Sequence, residues 1–501
     1  MSPILTHAPT PGAYGGEVGS VVRLRSASGR WLLLATVLGS SMAMLDGTVV
    51  NVALPTIADD LDADVGGLQW VVNGYTLALA SLILLGGALG DRWGRRRVFV
   101  VGVVWFAVAS LLCGIAPSIE TLIAARVLQG VGGALLTPGS LALISASFHR
   151  DDRGGAIGAW SGLGGVATAL GPLLGGWLVE AVSWRAVFLL NLPFAVAIVW
   201  VCARHVPESR DPDAPAHLDV LGVVLTAGGL AAMTYGLIDS SAWFAVVGLV
   251  VLLLFVVQER RSANPLVPLG LFADRVFAGA NLVTFSVYAA LGAVFFFLVV
   301  QLQVVAGYSP LAAGAATLPV TALMLLFSPA AGRLGTRIGP RLPMTVGPLV
   351  AAAGLLLMLR IDTDTSYVVD VLPGVVVFGI GVTILVSPLT TAVLAAAPDH
   401  LAGTASGVNN AVARTAQLLA VAALPPLVGI VGGALSDPAR FDEGFDQAML
   451  VCVGLLVVGA LVAFTMIRNR PSTHDLLVER QAGCDVCGPR AYPQPPVHDV
   501  T

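Results

Sequence analysis

Fourteen runs of apolar residues, each long enough to cross a bilayer as a helix, constrain this 501-residue chain more than any other feature. The hydrocarbon core takes about 20 residues of helix. By that measure the spans fall at 31–55, 68–89, 98–116, 120–143, 155–178, 184–203, 218–237, 242–258, 278–300, 311–332, 343–360, 371–396, 404–432 and 447–467. Backbone polar groups in lipid must be satisfied within their own segment, so runs of this kind fold as helices. Charged residues make up only 11% of the chain and hydrophobic residues 56%. A soluble domain carries roughly 25% charged residues, so this chain has too little polar material to face water all round. Its main surroundings are therefore the lipid bilayer, and a net charge of −4 gives nucleic acid nothing to bind. Residues 1–30 hold no apolar core of a signal peptide, and the first span reads as a retained anchor.

The arginines set the orientation. All 26 basic residues are arginine. One side of the fourteen-span layout carries Arg23, Arg25, Arg30, Arg92, Arg95 to Arg97, Arg150, Arg153, Arg204, Arg210, Arg260, Arg261, Arg275, Arg333, Arg337, Arg341 and the tail arginines. The other side carries only Arg185, Arg360 and Arg440, with acids such as Asp59, Asp60, Asp62 and Asp64. The arginine-rich side is expected to be cytoplasmic, with both termini on it. The chain also repeats itself. GALGDRWGRR (87–96) aligns with GRLGTRIGPR (332–341) at an offset of 245, and RGGAIG (153–158) sits against LAGTAS (401–406) at 248. The expected organisation is a cytoplasmic arm (1–30), a six-helix bundle (31–203), an inserted pair of helices with linkers (204–277), a second six-helix bundle (278–467) and a disordered cytoplasmic tail (468–501). Two related halves facing one another are the design of secondary transporters, with the substrate site near the midplane.

Two charges stand inside the apolar runs. Arg126 lies in LIAARVLQGVGGALLTPGSLALI (122–144) and Asp46 in WLLLATVLGSSMAMLDGTVVNVALP (31–55). A charge at this depth must face protein or a water-filled path. Arg126, Gln129, Gly130, Gly133 and Thr137 share one helical face. The bland alternative for Arg126 is a structural arginine on backbone carbonyls, and for Asp46 a neutral, hydrogen-bonded acid near the end of its span. Burial raises a carboxyl pKa and a nearby cation lowers it, so a carboxylate so balanced can exchange a proton when access changes sides. Gly158, Gly162 and Gly165 form a small-residue face that Gly171 and Gly175 extend, and close helix approach is expected along it. Pro172 should bend that helix. Candidates for lining a central cavity are Asn51, Asn73, Tyr75, Gln129, Asn281, Asn409 and Arg414, with Arg414 equally readable as structural.

Several ordered motifs carry a family resemblance. Gly87-Ala-Leu-Gly-Asp91-Arg92-Trp-Gly94-Arg95-Arg96-Arg97 resembles the signature loop of the major facilitator superfamily. The 122–134 segment, with Arg126, Gln129 and Gly130, is similar to that superfamily's fourth-helix motif. Gly171-Pro172-Leu-Leu-Gly175-Gly176 resembles its antiporter motif. LDGTVVNVALP (45–55), SWRAVFLLNLP (183–193) and QLQVVAGYSPLAAGAATLP (301–319) resemble the fourteen-span drug:proton antiporters of the EmrB/QacA-like group. The resemblance covers about residues 30–470.

It implies an all-α integral membrane protein with the major facilitator fold: two pseudo-symmetric six-helix bundles plus two inserted helices, fourteen in all. It further implies a monomeric exporter that exchanges protons for small organic molecules. Asp46 and Arg126 would couple the proton, and the loop with Gly87, Asp91, Arg92, Gly94 and Arg95 would gate the cytoplasmic end. Asp91 would approach Gly403-Thr404 when that end closes. In the second half Thr336 stands where Asp91 stands in the first, which weakens any matching latch. An uptake porter of the same fold and, more remotely, an integral membrane enzyme are the alternatives. No GxxxxGK[ST] phosphate loop occurs, and His7, His149, His205, His217, His400, His474 and His498 form no HExxH set. No cofactor or metal is expected. Cys113, Cys202 and Cys452 read as core residues, and Cys484 and Cys487 form a single CxxC where a structural zinc site usually needs four ligands.

Overall fold

Ser26, Asp64, Ser118, Asp274, Ser309 and Asp437 each accept a backbone N–H from the first turn of the helix that follows. Small polar residues at such places satisfy donors that a helix start leaves unpaired. The computed structural model describes residues 22–211, 218–262, 264–398 and 401–469. The CxxC pair, His7, His217, His400, the tail arginines from Arg470 on and most of the tail lie outside them. The helices are α1 (Ala27–Leu61), α2 (Val65–Trp93), α3 (Arg95–Gly114), α4 (Ile119–Ser147), α5 (Arg150–Ala181), α6 (Trp184–Leu189), α7 (Asn191–His205), α8 (Val220–Ile238), α9 (Ala242–Arg261), α10 (Arg275–Val304), α11 (Pro310–Ala316), α12 (Leu318–Ile338), α13 (Arg341–Met358), α14 (Leu372–Ala396), α15 (Ala402–Leu427) and α16 (Pro438–Met466).

Two expected spans are broken in place. The 184–203 run splits into α6 and α7, and the 311–332 run into α11 and α12. Pro193 has no N–H for the Leu189 carbonyl, and Pro319 none for Ala315, so each helix loses a bond at its break. Counting across these breaks, thirteen helical segments among the described residues are long and apolar enough to cross a membrane. The remaining expected span is α15, which is long enough, but Asn409, Asn410, Arg414 and Gln417 dilute its hydropathy. The first helix starts at Ala27, before the expected boundary at 31. Ahead of it, Val22 pairs with the end of α4 through Val22 N–H to Ser147 O and His149 N–H to Val22 O.

Helices α1–α7 form one bundle and α10–α16 the other, and α8 and α9 pack mainly on each other. Helix α8 touches α2 and α15, whereas little of α9 is buried. The bundles meet at the end opposite the arginine-rich loops. There α5 packs on α11, α2 on α15 and α1 on α10. One apolar core runs through the second bundle and takes in Val49, Leu54, Leu68 and Phe188 of the first. A separate core, with Leu32, Phe99, Leu143 and Val201, fills the arginine-rich part of the first bundle.

Towards the arginine-rich end the bundles part. A Cβ on Gly176 would lie 2.5 Å from Leu311, and one on Gly165 would lie 3.6 Å from Leu325. Further along α5, Gly162, Gly158 and Gly154 meet nothing within 4 Å. The close approach expected at Gly158 and Gly162 is therefore absent. Helices α2 and α15 stay together as far as Leu84 and Gly407, 3.0 Å apart by the same measure, but Gly403 meets nothing.

The internal repeat is visible as a matched pair of clamps. Gly94 and Gly339 both end their helices with positive φ, +113° and +84°, which glycine adopts without strain. Two residues on, the Arg96 N–H donates to Glu208 Oε1 and the Arg341 N–H to Asn469 Oδ1. The arginine side chains also match: Arg96 Nη1 donates to Val206 O and Arg341 Nε to Phe464 O. In each half, the stretch around the end of the last helix is tied back to the loop after the second.

The glycines of α5 divide by neighbour, and so should their substitutions. A Cβ on Gly171 would collide with the Thr48 hydroxyl, whereas Gly158 faces open space. Overpacking costs about 1–3 kcal/mol or more, and a surface change within about 0.5 kcal/mol. Thermal unfolding in detergent should therefore show Gly171→Leu melting well below the parent chain and Gly158→Leu melting with it.

Candidate functional site

Asp46 and Arg126 meet inside the first bundle. Asp46 lies near the middle of α1, where α1 crosses α4, and Arg126 Nη1 is 2.5 Å from Asp46 Oδ2. Arg126 also donates from Nε to Val71 O of α2 at 3.0 Å and from Nη1 to Gln129 Oε1 at 2.6 Å. Gln129, one turn along α4, gives its amide N–H groups to Asp46 Oδ1 at 2.7 Å and Ser110 Oγ of α3 at 2.8 Å. Asn191, the first residue of α7, donates to Ser110 Oγ at 3.2 Å and approaches Asp46 Oδ1 at 3.5 Å. The guanidinium lies 4.5 Å from the Tyr75 ring centre and 5.7 Å from that of Phe188. Asp46, Gln129, Ser110, Asn191 and Arg126 are all enclosed, none more than 3% exposed.

The arrangement balances one buried cation with one buried anion and fills the remaining carboxylate acceptor with amide donors. Either charge buried without the other would be costly, so each needs its partner here. Ser110 and Asn191 are not among the candidates that the sequence offers. The break at Leu190 and Pro193, inside SWRAVFLLNLP, was the available signal for Asn191. An isolated serine in an apolar helix offered none for Ser110.

The other candidates separate into three groups. Gln129 and Tyr75 belong to the charge network and do not line open space. Gly130 and Gly133, on the same face of α4, approach Tyr75, so that face meets protein. Thr137 stays outside the network, with a buried hydroxyl that finds no partner. Asn73 is fully buried with neither amide atom bonded, so it too is removed from any open cavity in this state. Asn281 and Asn409 bind each other across α10 and α15, Asn409 Nδ2 donating to Asn281 Oδ1 at 3.2 Å and to Thr284 Oγ1 at 2.7 Å. Asn51 is half-buried, with its amide only near its own Gly47 carbonyl at 3.5 Å. Arg414 is half-buried in mid-α15, bonds Gln417 Oε1 at 3.3 Å and has no carboxylate partner among the described residues.

The Gly171–Gly176 motif within α5 and the motif that begins at Gly87 lie at opposite ends of the seam between the bundles. Gly171 and Gly175 of α5 let α1 approach at Thr48 and Val49. Gly176 and the Pro172 carbonyl face α11, at Leu311 and Gly314. At the arginine-rich end Asp91 Oδ1 holds Arg95 Nη2 at 2.8 Å and Nε at 2.9 Å. Arg96 and Arg97 face Glu208 at 3.8 and 3.6 Å, Arg92 is exposed, and Gly87 passes Pro138 of α4 at 3.7 Å from its would-be Cβ. Among the described residues no group of three or more histidines, cysteines and carboxylates is placed to hold a metal.

Comparison with known proteins decides the family. Residues 36–421 match the model of the Major Facilitator Superfamily. The chain belongs to the major facilitator superfamily. It is therefore a multi-pass membrane transporter and not an enzyme. It is 36% identical over 468 residues to the puromycin resistance protein pur8 of Streptomyces alboniger, covering 89% of this chain and 93% of that one. It is 36% identical over 432 residues to the tetracenomycin C resistance and export protein of Streptomyces glaucescens, covering 84% and 79%. With the drug efflux pump JefA of Mycobacterium tuberculosis it shares 37% over 444 residues, 86% and 87% of the two chains. By name these relatives are an antibiotic resistance protein, a resistance and export protein and a drug efflux pump. Among solved structures, a POT family transporter in complex with a thioalcohol-conjugated peptide superposes with a TM-score of 0.68 at 14% identity, over 89% of this chain and 99% of that one. A bacterial homologue of the lysosomal transporter Spinster, inward-facing and unoccupied, gives 0.62 at 19% identity, over 88% and 97%. At such identities these two establish the fold alone.

The network makes a prediction about pairing. Removing one member of a buried ion pair strands the other, at a cost of about 3–5 kcal/mol, while removing both costs much less. Arg126→Ala should therefore be markedly less stable in a denaturant titration than the double variant Asp46→Asn/Arg126→Gln. Arg126→Lys should fall with Arg126→Ala, because one ammonium cannot reproduce the Nε and Nη1 bonds of the planar fork. Equal stability of the single and double variants would show that the charges are not coupled.

Proposed function

We propose that this protein exports small organic molecules of the antibiotic and drug class across the cytoplasmic membrane in exchange for protons, by alternating access. One observation carries the reading: an enclosed Asp46–Arg126 pair sits within one bundle of a fold whose two bundles touch at one end and part at the other. Protonating Asp46 would discharge half of the pair and free Arg126, Gln129 and Asn191 to change partners. The energy of one proton would thereby reach α1, α4, α3 and α7 together. The names of the relatives supply the direction of transport and the class of cargo, and the Gly171–Gly176 motif agrees with them. An uptake porter would use the same fold, so the direction is what the transport assay must read.

In this reading the arginine-rich end faces the cytoplasm, both termini lie there, and the structure is the inward-open state of a monomer. Of the cavity candidates, Asn51, Asn409 and Arg414 are half-buried, with Asn281 enclosed behind Asn409, and Arg414 is the cation an acidic or electron-rich cargo would meet. Asp91 is occupied by Arg95 in this state. When the cytoplasmic end closes, Asp91 would reach the start of α15 near Gly403-Thr404, where an anion is favoured by about 0.3–1 kcal/mol.

Two outcomes follow. Asp46→Asn should insert normally yet show no cargo movement driven by a pH gradient in proteoliposomes; full gradient-driven transport would remove Asp46 from the proton path. Asp91→Asn should keep cargo affinity but turn over several-fold more slowly, with greater cysteine labelling at the cytoplasmic end of α5. Lost binding with unchanged labelling would make Asp91 part of the site or the fold instead.

A further inference from the structure

Gln69 stands near the start of α2, one turn inside the end where the two bundles meet, and is 2% exposed. Its side-chain amide crosses the seam and donates to two carbonyls of α15, Val421 O at 2.7 Å and Ala422 O at 3.0 Å. These two carbonyls are not ordinary helical acceptors. In an α-helix the carbonyl of residue i receives the N–H of residue i+4. For Val421 and Ala422 those residues are Pro425 and Pro426, and proline has no N–H to give. The double proline therefore leaves adjacent buried acceptors of one bundle without donors from their own helix. The amide nitrogen of Gln69, on the other bundle, supplies both. Leaving a buried carbonyl unbonded is unfavourable, and in lipid no bulk water replaces the donor.

We propose that Gln69 and the Pro425-Pro426 pair form a latch that holds this end of the transporter closed in the state described here. It rests on the alternating-access reading of the fold, and it names the contact that must break for the other state to form. The latch is strong because the prolines disable the local alternative. It is also releasable, because a polar cargo path or water entering the seam can solvate the same carbonyls. Gln303 Nε2 of α10, which donates to Val52 O of α1 at 3.1 Å, crosses the seam too. Val52 differs in having Thr56 as its helical donor, so that contact lacks the vacancy that makes Gln69 necessary.

Gln69 is a positioning residue, so the test reads conformation and needs neither cargo nor a proton gradient. Spin labels on cysteines at Asp62 and Ser436, exposed positions on opposite bundles at this end, report the opening of the seam in the full chain in lipid nanodiscs. Gln69→Met keeps the shape of the side chain and removes the donor. It should raise the open-to-closed ratio at this end about tenfold, equivalent to about 1.4 kcal/mol. Gln69→Asn, whose amide is one methylene too short, should do the same and guards against a folding defect in the methionine variant. In a Pro425→Ala/Pro426→Ala background the helix recovers its own N–H donors, and Gln69→Met should then change the ratio by less than twofold. An unchanged ratio in both Gln69 variants, or an equal shift with and without the prolines, overturns the latch. Neither result bears on whether the wild-type protein exports in exchange for protons, which the pH-gradient assay reads separately.

Discussion

The ion pair between Asp46 and Arg126 ties the first bundle together. It joins α1 to α4 directly, reaches α2 through Val71 O, and reaches α3 and α7 through Gln129, Ser110 and Asn191. Five segments thus converge on a single buried carboxylate and a single guanidinium. An apolar contact could hold those helices as well, and buried ion pairs are often no more stable than hydrophobic replacements. What the pair adds is a state variable. In the proposed export cycle its geometry would change with one proton, whereas packed leucines have no comparable dependence. A transporter that couples cargo to protons needs such an element, and in the proposed function this enclosed pair would be that element.

Movement depends on the seam, and the seam is asymmetric along its length. At one end, glycine and proline allow backbones to meet: Gly176 against Leu311, the Pro172 carbonyl against Gly314, and Gln69 against two donor-starved carbonyls. At the other end Gly154, Gly158 and Gly162 of α5 meet nothing within 4 Å. The same glycine stripe therefore serves two purposes. Its far part is a contact already made, and its near part is a surface on which the second bundle can close.

Much of this was legible in the sequence, and the failures have physical causes. Asp46 and Arg126 stood out because a charge in an apolar run has few tolerable places to go. The repeat at 87–96 and 332–341 stood out because glycines at turns and arginines at one membrane face are not exchangeable. The breaks within the sixth and tenth spans were overlooked because hydropathy is blind to a missing N–H. Glu208 and Asn469 were not identified, since both close their clamps from more than a hundred residues away along the chain. Gln129, Asn73 and Tyr75 were expected at a cavity wall and lie in closed packing. Polarity marks a residue as needing partners and does not say whether cargo, water or protein provides them.

The two clamps show how a duplicated fold can become mechanically unequal. Their backbone geometry is the same, from the positive-φ glycine to the N–H two residues later. Their chemistry differs. In the first bundle Glu208 faces Arg96 and Arg97, and Asp91 holds Arg95, so charge gathers at the loop. In the second bundle neutral Asn469 takes the place of Glu208, and Thr336, bonded to its own Arg333 carbonyl, takes the place of Asp91. The first bundle therefore carries both the buried ion pair and the charged loop, whereas the second presents donor-starved carbonyls and a half-buried arginine to the seam. In the proposed cycle protonation would act on the first bundle through charge, and the second would answer through hydrogen bonds that form or break at the seam. Coupling between proton and cargo then needs no continuous wire of ionisable groups. It needs only that the pair at Asp46 bias the position of α1 and α2, because α2 carries Gln69 to the other half.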